Sequence, residues 1–249
     1  MTELASHRDY LKVIGNTHQT ARGWYDKQWN RYYAAVYFDV TRRLLTGVTR
    51  GTVLDVGTSH GAWFNFLKTL GFATILGVEL DPERAELARR AGYNEVFNCD
   101  AADTPLPAGC LDAAVSSDVF VHIIRLEDKI RVLQRVETLL KPGGTFVVNH
   151  ASAAAFMGSP EYHVSGYCSY ISVDEFVRTV SQHTRLRLVD LRPAYFSWRY
   201  RRPPLALHAL RRAMRLPGVP KVLAGIDTHV LARRLPPDDA DCFYLRLQK

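Results

Sequence analysis

The sequence predicts a doubly wound α/β domain, and three observations lead to this prediction. The chain has 249 residues, enough to bury one large core or two small ones. Hydrophobic residues make up 47% and charged residues 23%, which is typical of a globular protein and excludes a disordered, collagenous or coiled-coil chain. From residue 52 onward, short apolar segments alternate with helical patterns, as they do in βαβ units around a parallel sheet.

Residues 1–50 are predicted to form a helical cover over the domain that residues 51–249 would build. This segment is rich in aromatic side chains, among them Tyr25, Tyr32, Tyr33 and Tyr37. Two interpretations of these rings stay open at this point. They either line a pocket, with Tyr25 and Tyr33 closing over a ligand, or they dock the segment on the main domain.

Five apolar segments are predicted to be buried strands, at 52–56, 74–79, 95–99, 111–117 and 145–149. Local signals place the helices between them. Asp81 followed by Pro82 is typical of a helix start, and Gly71 and Gly92 are typical of the position after a helix end. Apolar residues recur at helical spacing from Leu126 to Leu140, before a Pro-Gly-Gly turn.

The last part of the chain has a different order of elements. Ser172 and Glu175 form a capping box, so a helix should begin there. Two further strands are predicted at 186–191 and 241–247. Between them lies an insertion, residues 195–234, with two expected amphipathic helices at 204–216 and 221–234 separated by residues 217–220.

The positive charge of the chain is concentrated in this insertion. The formal net charge is +7, yet residues 195–234 hold nine Lys and Arg residues and one acid, Asp227. A nucleic-acid-binding protein is usually basic over a broader surface, so nucleic acid is not the favoured partner. Three interpretations stay open: a solvated helical hairpin, a surface for an acidic substrate or carrier protein, or peripheral contact of residues 204–234 with an anionic membrane.

Cysteine usage and the chain start indicate a cytoplasmic protein. Cys99, Cys110, Cys168 and Cys242 are scattered, with no CxxC pair, so neither a disulfide framework nor a metal site is predicted. No apolar run approaches the ~20 residues that span a bilayer. The first residues lack a basic segment followed by an apolar one, the pattern of a secretory signal.

Three loops that follow strands carry residues suited to a nucleoside-like ligand. Ligands of open parallel sheets bind beyond the carboxyl ends of the strands. The first loop contains Gly57, which permits a tight turn and close approach to the backbone. Glu79 follows the second strand, where an acid can accept hydrogen bonds from two ribose hydroxyls. Asp100 and Ala101 follow the third, where a carboxylate and a backbone N–H can bracket an adenine edge.

The combination of these motifs resembles the class I S-adenosylmethionine-dependent methyltransferases over about residues 50–195 and again at 241–248. The segments that carry the resemblance are 53–61, 77–83, 99–101, 111–122 and 139–144. The resemblance implies S-adenosylmethionine as cofactor, S-adenosylhomocysteine as product, and a Rossmann-like seven-stranded sheet of order 3-2-1-4-5-7-6 with strand seven antiparallel. It implies that the cofactor is bound by Asp55, Gly57, Thr58, Ser59, Gly61, Glu79, Leu80, Asp100, Ala101, Ser117 and Tyr25. One departure is that Ser59 stands at the position of the family's middle glycine.

The cofactor class supplies an activated methyl group, and a general base assists transfer to a hydroxyl. Histidine is the residue type best suited to that task near neutral pH. The candidates are His150, after strand five, His163, in the next loop, and His122, which also suits a role in shaping the cofactor pocket. Each is equally consistent with a structural histidine. Asp118 is a further candidate.

The sequence therefore predicts a methyltransferase that acts on a small molecule, at an oxygen of a specialised metabolite or sugar. The segment at 117–120 lacks the Pro-Pro pair of nucleobase amino-group methylases. Two alternatives remain: an RNA methyltransferase that uses the basic insertion, and a cofactor-binding protein or enzyme that does not transfer methyl groups. The acceptor and the oligomeric state are not predicted.

Overall fold

A computed structural model describes residues 28–153, 163–165, 168–196, 213, 216 and 218–249. Tyr25, most of the predicted helix at 204–216 and most of the basic insertion's arginines lie outside these ranges. The predicted division into a cover and a main domain stays a prediction. Within the described part, no helix is both long and apolar enough to cross a bilayer.

Seven strands form one sheet of order β3-β2-β1-β4-β5-β9-β8. The strands are β1 (Thr52–Val56), β2 (Thr74–Val78), β3 (Glu95–Phe97), β4 (Leu111–Ser116), β5 (Leu140–Ala151), β8 (Arg187–Ala194) and β9 (Cys242–Gln248). The strands β1 to β5 pair in parallel, whereas β9 is antiparallel to both β5 and β8. Since β8 and β9 are the sixth and seventh predicted strands, the predicted order and the antiparallel last strand are confirmed.

Seven α-helices lie within the described residues. They are α1 (Gln28–Leu44), α2 (Phe64–Thr69), α3 (Pro82–Ala91), α4 (Leu126–Leu139), α5 (Val173–His183), α6 (Val219–Ile226) and α7 (Ala232–Arg234). The limits of α3 are those that local signals predict. The Asp81 carboxylate accepts hydrogen bonds from the amides of Glu83 and Arg84 at 2.9 and 3.2 Å, which caps α3. Gly92 ends that helix with a φ of 115°.

The structure corrects three boundaries. A hairpin of β6 (His163–Ser165) and β7 (Cys168–Tyr170) forms within the segment expected to be a loop. Strand β5 begins at Leu140 rather than at residue 145, and a register shift against β4 accommodates the Pro-Gly-Gly turn. Helix α6 begins at Val219 rather than at 221, because Pro220 fits the first helical turn, where no backbone N–H is needed.

Alternate residues of the strands pack against helices on the two faces of the sheet. Val53 and Val147 face the layer that contains α1, whereas Leu54 and Val148 face the layer that contains α4 and α5. Aromatic rings attach α1 to its face: the Tyr37 ring lies 3.7 Å from that of Trp63 and 5.9 Å from that of Tyr244, centroid to centroid. For Tyr37, these contacts favour docking over pocket lining.

Candidate active site

The carboxyl ends of β1 to β4 bring six of the predicted cofactor-binding residues to one edge of the sheet. Five of the six residues are partly exposed, whereas Glu79 is nearly buried, with 8% of the residue exposed. The six are Ser59, Glu79, Leu80, Asp100, Ala101 and Ser117. Asp55, Thr58 and Gly61 are buried beneath them, inside the loop after β1 or at its base.

The loop after β1 folds back on the end of β2. The amides of Gly57 and Thr58 both donate to the carbonyl of Val78, at 2.8 and 3.1 Å. The backbone turns through left-handed conformations at Gly57, Ser59 and Gly61, with φ of 78°, 49° and 85°. Ser59 therefore adopts a left-handed conformation that favours glycine, at a strain on the order of 1 kcal/mol for a non-glycine residue.

The glycines of this loop are required by protein contacts as well as by its turns. A Cβ on Gly57 would lie 2.3 Å from Cγ2 of Val119, and one on Gly61 would lie 2.5 Å from Cβ of Ala91. At these two positions protein atoms from the turn after β4 and from α3 lie close to the backbone, and the predicted approach of a ligand to the loop at Gly57 stays a prediction. The loop sequence alone does not reveal these contacts, because the contacting residues lie elsewhere in the chain.

Glu79 organises the cofactor side of the edge. Its carboxylate accepts hydrogen bonds from the amides of Ser59 and Asp81 at 2.8 and 3.0 Å, one on each oxygen. Each carboxylate oxygen can accept a second hydrogen bond, so the group can also receive the two hydroxyls of a ribose. Asn98 supports this arrangement by donating to the carbonyls of Glu79 and Leu80 at 2.8 and 3.0 Å.

Asp100 follows β3 at the same edge of the sheet and is partly exposed, and its predicted contact with an adenine stays a prediction. Its Oδ1 accepts a hydrogen bond from the Ala102 amide at 2.9 Å and caps a short 3₁₀ turn, Ala101–Asp103. Among the described residues no hydrogen-bond donor contacts its second oxygen, which can accept a hydrogen bond from an amino group at the edge of the sheet. The donors and acceptors at the ends of β1, β2 and β3 therefore fit an adenosyl ligand without phosphates.

Asp55 lies under the loop and is held by a residue that sequence analysis missed. The Tyr93 hydroxyl donates a short hydrogen bond to Oδ2 of Asp55, and both side chains are buried. Burial raises the pKa of Asp55 to about 7, against the lowering effect of the Tyr93 hydrogen bond and with an added contribution from Glu79. Asp55 supports the loop from inside, and its predicted contact with the cofactor stays a prediction.

This raised pKa predicts a pH-dependent stability. Between about pH 4 and pH 7 the folded protein retains a proton on Asp55 that the unfolded chain releases, so the free energy of unfolding should fall as pH rises. The contribution is at most about 1.4 kcal/mol per pH unit. Urea unfolding across this range should give a slope of the free energy of unfolding against pH that is more positive for Asp55→Asn than for the wild type. Asp174→Asn, at an exposed position of α5, is the matched control, and equal slopes for Asp55→Asn and wild type would contradict the assignment.

Asp118 lies two residues beyond the end of β4 and beside Asn149 of β5, and we call this end of the edge the acceptor side because an acceptor is proposed to bind there. It has a left-handed backbone with φ of 54° and is exposed. Asp118 and Asn149 form a reciprocal pair: the Asp118 amide donates to Oδ1 of Asn149, and Nδ2 of Asn149 donates to Oδ1 of Asp118, each at 2.7 Å. Among the described residues, no hydrogen-bond donor contacts Oδ2 of Asp118. Although part of the residue faces solvent, the protein atoms around the carboxyl group desolvate it and raise its pKa, against the lowering effect of the Asn149 hydrogen bond.

Tyrosines from separate elements gather on the same side of the sheet. The Tyr195 hydroxyl lies 3.1 Å from the Tyr244 hydroxyl and donates to the Tyr33 carbonyl at 3.1 Å. Burial raises the pKa of both Tyr195 and Tyr244, and the charge of Asp118 adds to the effect. Both phenols are thus neutral hydroxyls near Asp118, and Tyr33 lies beside them, its ring 5.0 Å from that of Tyr195.

The three candidate histidines lie in different surroundings. His150 is 1% exposed, and its ring lies 5.5 Å from that of Phe176 and 6.2 Å from that of Phe243. Burial holds its pKa well below the usual value. His122 is half-buried with Nδ1 3.8 Å from Sγ of Cys168. His163 pairs with Tyr170 in the backbone of the hairpin, and its side chain lies outside the described residues. Their catalytic roles stay predictions, and the surroundings of His150 are typical of a structural imidazole.

A buried lysine beneath the acceptor side was also missed. Lys129 is fully buried, and its Nζ donates to the carbonyls of Phe120 and Ile123 and to Oγ of Ser169, the last at 2.8 Å. Three ammonium protons thus meet three acceptors, and the turn after β4 is joined to β7. The sequence signal was available, since Lys129 falls on the apolar face of α4, between Leu126 and Leu133.

Asp227 joins the insertion to the rest of the protein. It lies in a π-helical segment, Asp227–Leu231, is fully buried, and accepts a hydrogen bond from the Tyr32 hydroxyl of α1. It also accepts hydrogen bonds from the amides of Tyr195 and Phe196 at 3.2 Å each. The insertion, α1 and the end of β8 are therefore fastened at one carboxylate.

Comparisons with known proteins agree with this architecture. Residues 54–148 match a family model described as a methyltransferase domain. A tRNA (carboxymethyluridine(34)-5-O)-methyltransferase of Xenopus tropicalis is 30% identical over 105 residues, which are 42% of this chain. The chain spans 16% of that relative's length.

Two solved structures show the same fold at low sequence identity. A Burkholderia thailandensis 1,6-didemethyltoxoflavin-N1-methyltransferase, solved with its acceptor and S-adenosylhomocysteine, has a TM-score of 0.60 at 16% identity, covering 100% of this chain and 92% of that one. The [4+2]-cyclase SpnF has a TM-score of 0.58 at 18% identity, covering 87% of this chain and 81% of that one. Residues 54–148 are therefore similar to a methyltransferase domain, and the chain shares the fold of these two solved structures.

Proposed function

We propose that the protein transfers a methyl group from S-adenosylmethionine to an oxygen of a small molecule, such as a specialised metabolite or a sugar. The cofactor supplies a methyl group already activated by its sulfonium. Ser59, Glu79, Leu80, Asp100, Ala101 and Ser117 would hold the cofactor along the edge of the sheet. The remaining task of the chain is to position an acceptor hydroxyl and to remove its proton.

The observation that carries this proposal is the arrangement of Asp118. Asn149 fixes one carboxylate oxygen and the backbone amide, while Oδ2 faces no donor among the described residues. A carboxylate held in this way can accept the proton of an acceptor hydroxyl as the new bond forms. We therefore propose Asp118 as the general base, ahead of His122, His150 and His163.

The neighbouring tyrosines suit a small polar acceptor. Tyr195 and Tyr244 present neutral hydroxyls from β9 and from the end of β8. Because Tyr195 donates to the Tyr33 carbonyl and Tyr244 donates to Tyr195, the two hydroxyls form a chain that fixes the wall beside Asp118 and do not compete for the proton of an acceptor. With Tyr33 and α1 alongside, these elements would also exclude water from the reacting atoms.

A second candidate is methylation of RNA. The matched relative in Xenopus tropicalis is a tRNA methyltransferase by name, and its aligned segment is 30% identical. The nine basic residues of the insertion would supply contacts to phosphates. This function predicts tRNA binding that weakens steeply with salt and is lost when Arg211, Arg212 and Arg215 are replaced by Glu.

A third candidate is chemistry without methyl transfer. The chain is similar in fold to a [4+2]-cyclase, and one fold can host several different reactions. Binding of S-adenosylmethionine without formation of S-adenosylhomocysteine on any accepted substrate would favour this candidate.

One experiment separates the three. The protein is first titrated with S-adenosylmethionine by calorimetry, and then incubated with the cofactor and either a panel of hydroxylated metabolites and sugars or bulk tRNA. We expect cofactor binding, and S-adenosylhomocysteine formation with a small hydroxylated acceptor. Absence of cofactor binding by folded protein would overturn all methyl-transfer proposals, and product formed only with tRNA would overturn the small-molecule proposal.

A further inference from the structure

One side of the insertion presents a surface in which basic and aliphatic residues alternate. The segment from α6 through the π-helical segment to α7 is continuously helical from Val219 to Arg234. We call its exposed side the basic–apolar face. It consists of Lys221, Val222, His229, Val230, Arg233 and Arg234, all exposed.

The opposite side of this helical segment is fixed against the protein. Pro220, Ala224, Asp227 and Thr228 are buried, and Asp227 holds Tyr32 and the end of β8. Because these positions are one helical turn or its multiples apart, the basic–apolar face must point away from the sheet. Asp227 is also the only acid within residues 195–234, so its inward position leaves this stretch of the surface without an acid of its own.

The aliphatic side chains of the face are unusually exposed. Val222 is 63% exposed and Val230 39%, and Leu216 and Leu235 beside the helix are 60% and 38% exposed. Among the described residues, seven large hydrophobic side chains are exposed, and these four all lie within residues 216–235. Such clustering marks an interaction surface, whereas single exposed apolar residues are ordinary.

The charged groups around the face are predominantly basic. Asp39 of α1 forms an ion pair with Arg43 at 3.0 Å, a guanidinium nitrogen of Arg43 lies 2.7 Å from Nε2 of His229, and Arg42 beside them is exposed. Asp238 and Asp239 follow in a 3₁₀ turn beyond Leu235. The face itself carries Lys221, Arg233 and Arg234 without an acid.

We propose that the basic–apolar face docks the protein on an anionic lipid surface. Helices that lie in a membrane interface combine basic and aliphatic residues on the contacting side. The Lys and Arg side chains contact lipid phosphates, while the aliphatic side chains enter the boundary of the acyl chains. The phosphates of a nucleic acid would contact the basic side chains, but they would provide no apolar surface for the four exposed aliphatic side chains. A second copy of the chain would bring the same positive charges together.

The test measures partition of the full-length protein onto vesicles of phosphatidylcholine, with and without phosphatidylserine. Binding is expected only with phosphatidylserine. The triple variant Lys221→Gln, Arg233→Gln, Arg234→Gln should lower the partition coefficient by about a hundredfold, at about fivefold per charge. The double variant Val222→Ser, Val230→Ser should lower it by about tenfold.

Matched controls lie elsewhere on the surface. Leu87→Ser and Val189→Ser replace aliphatic side chains of similar exposure, 48% and 50%, and should leave the partition unchanged. Absence of binding to phosphatidylserine vesicles would overturn the proposal. So would binding that is lost in the charge variant and retained in the valine variant, because the aliphatic side chains of the face would then take no part in it. Since the readout is vesicle binding, its failure leaves the proposed methyl transfer untouched.

Discussion

Replacement of Asp118 by asparagine should slow methyl transfer by about a hundredfold to ten-thousandfold, the usual contribution of a general base. The change removes proton-accepting ability while keeping nearly the same shape. Asparagine tolerates the left-handed backbone at this position. Affinity for S-adenosylmethionine, measured by calorimetry, should stay within about twofold, because Asp118 lies on the acceptor side.

The pH dependence of turnover provides an independent readout. The pKa of Asp118 is raised by desolvation, so the ionised base is lost as pH falls through a value above that of an ordinary aspartate. The acidic limb of the kcat profile should follow this ionisation in the wild type and be absent in Asp118→Asn. Asp174→Asn is the control. Unchanged turnover in Asp118→Asn would exclude Asp118 as the base and return the role to His122 or His163.

Glu79→Gln should weaken binding of S-adenosylmethionine by about 10- to 100-fold, with the fold retained. The carboxylate accepts the amides of Ser59 and Asp81 on its two oxygens. A carboxamide presents an NH₂ group to one of these amides, so one charged hydrogen bond, typically about 1.5–3 kcal/mol, is lost. The loop after β1 and the ribose site are both affected by the same replacement.

Glu83→Gln is the matched control for this second prediction. Glu83 lies four residues away in the exposed first turn of α3, so its replacement should leave the dissociation constant of the cofactor unchanged in calorimetry. Thermal unfolding of both variants would show that they remain folded. Equal cofactor affinity for Glu79→Gln and the wild type would contradict the assignment of Glu79 as the ribose ligand.

The elements that sequence analysis predicted well are those with local signals. Asp81 and Gly92 delimit α3 because a cap and a left-handed turn depend on a few neighbouring residues. Apolar runs marked the strands, and their alternation with helices gave the parallel sheet. The hairpin of β6 and β7 was missed because its two strands have three residues each, too few for a periodic pattern to show.

The missed parts of the site depend on contacts between distant residues. The pairs Tyr93 with Asp55 and Asn149 with Asp118 join residues 38 and 31 positions apart, and no local pattern specifies either. The position of His150 was predictable in principle. Alternate residues of a strand face the same side of the sheet, so His150 lies on the side of Phe146 and Val148, which face the layer of α4 and α5. Asn149 points to the opposite side, toward Asp118.

The position of β9 has a consequence for how the protein folds as it is synthesised. This strand lies between β5 and β8 although it follows both in the chain. Helix α1, translated before any strand, depends on partners translated much later, Asp227 and Tyr244. Such long sequence separations slow folding. In ribosome-bound chains that end before β9, β8 should therefore lack its strand partner, and α1 should lack its contact with Tyr244. We expect chaperones to bind such incomplete intermediates.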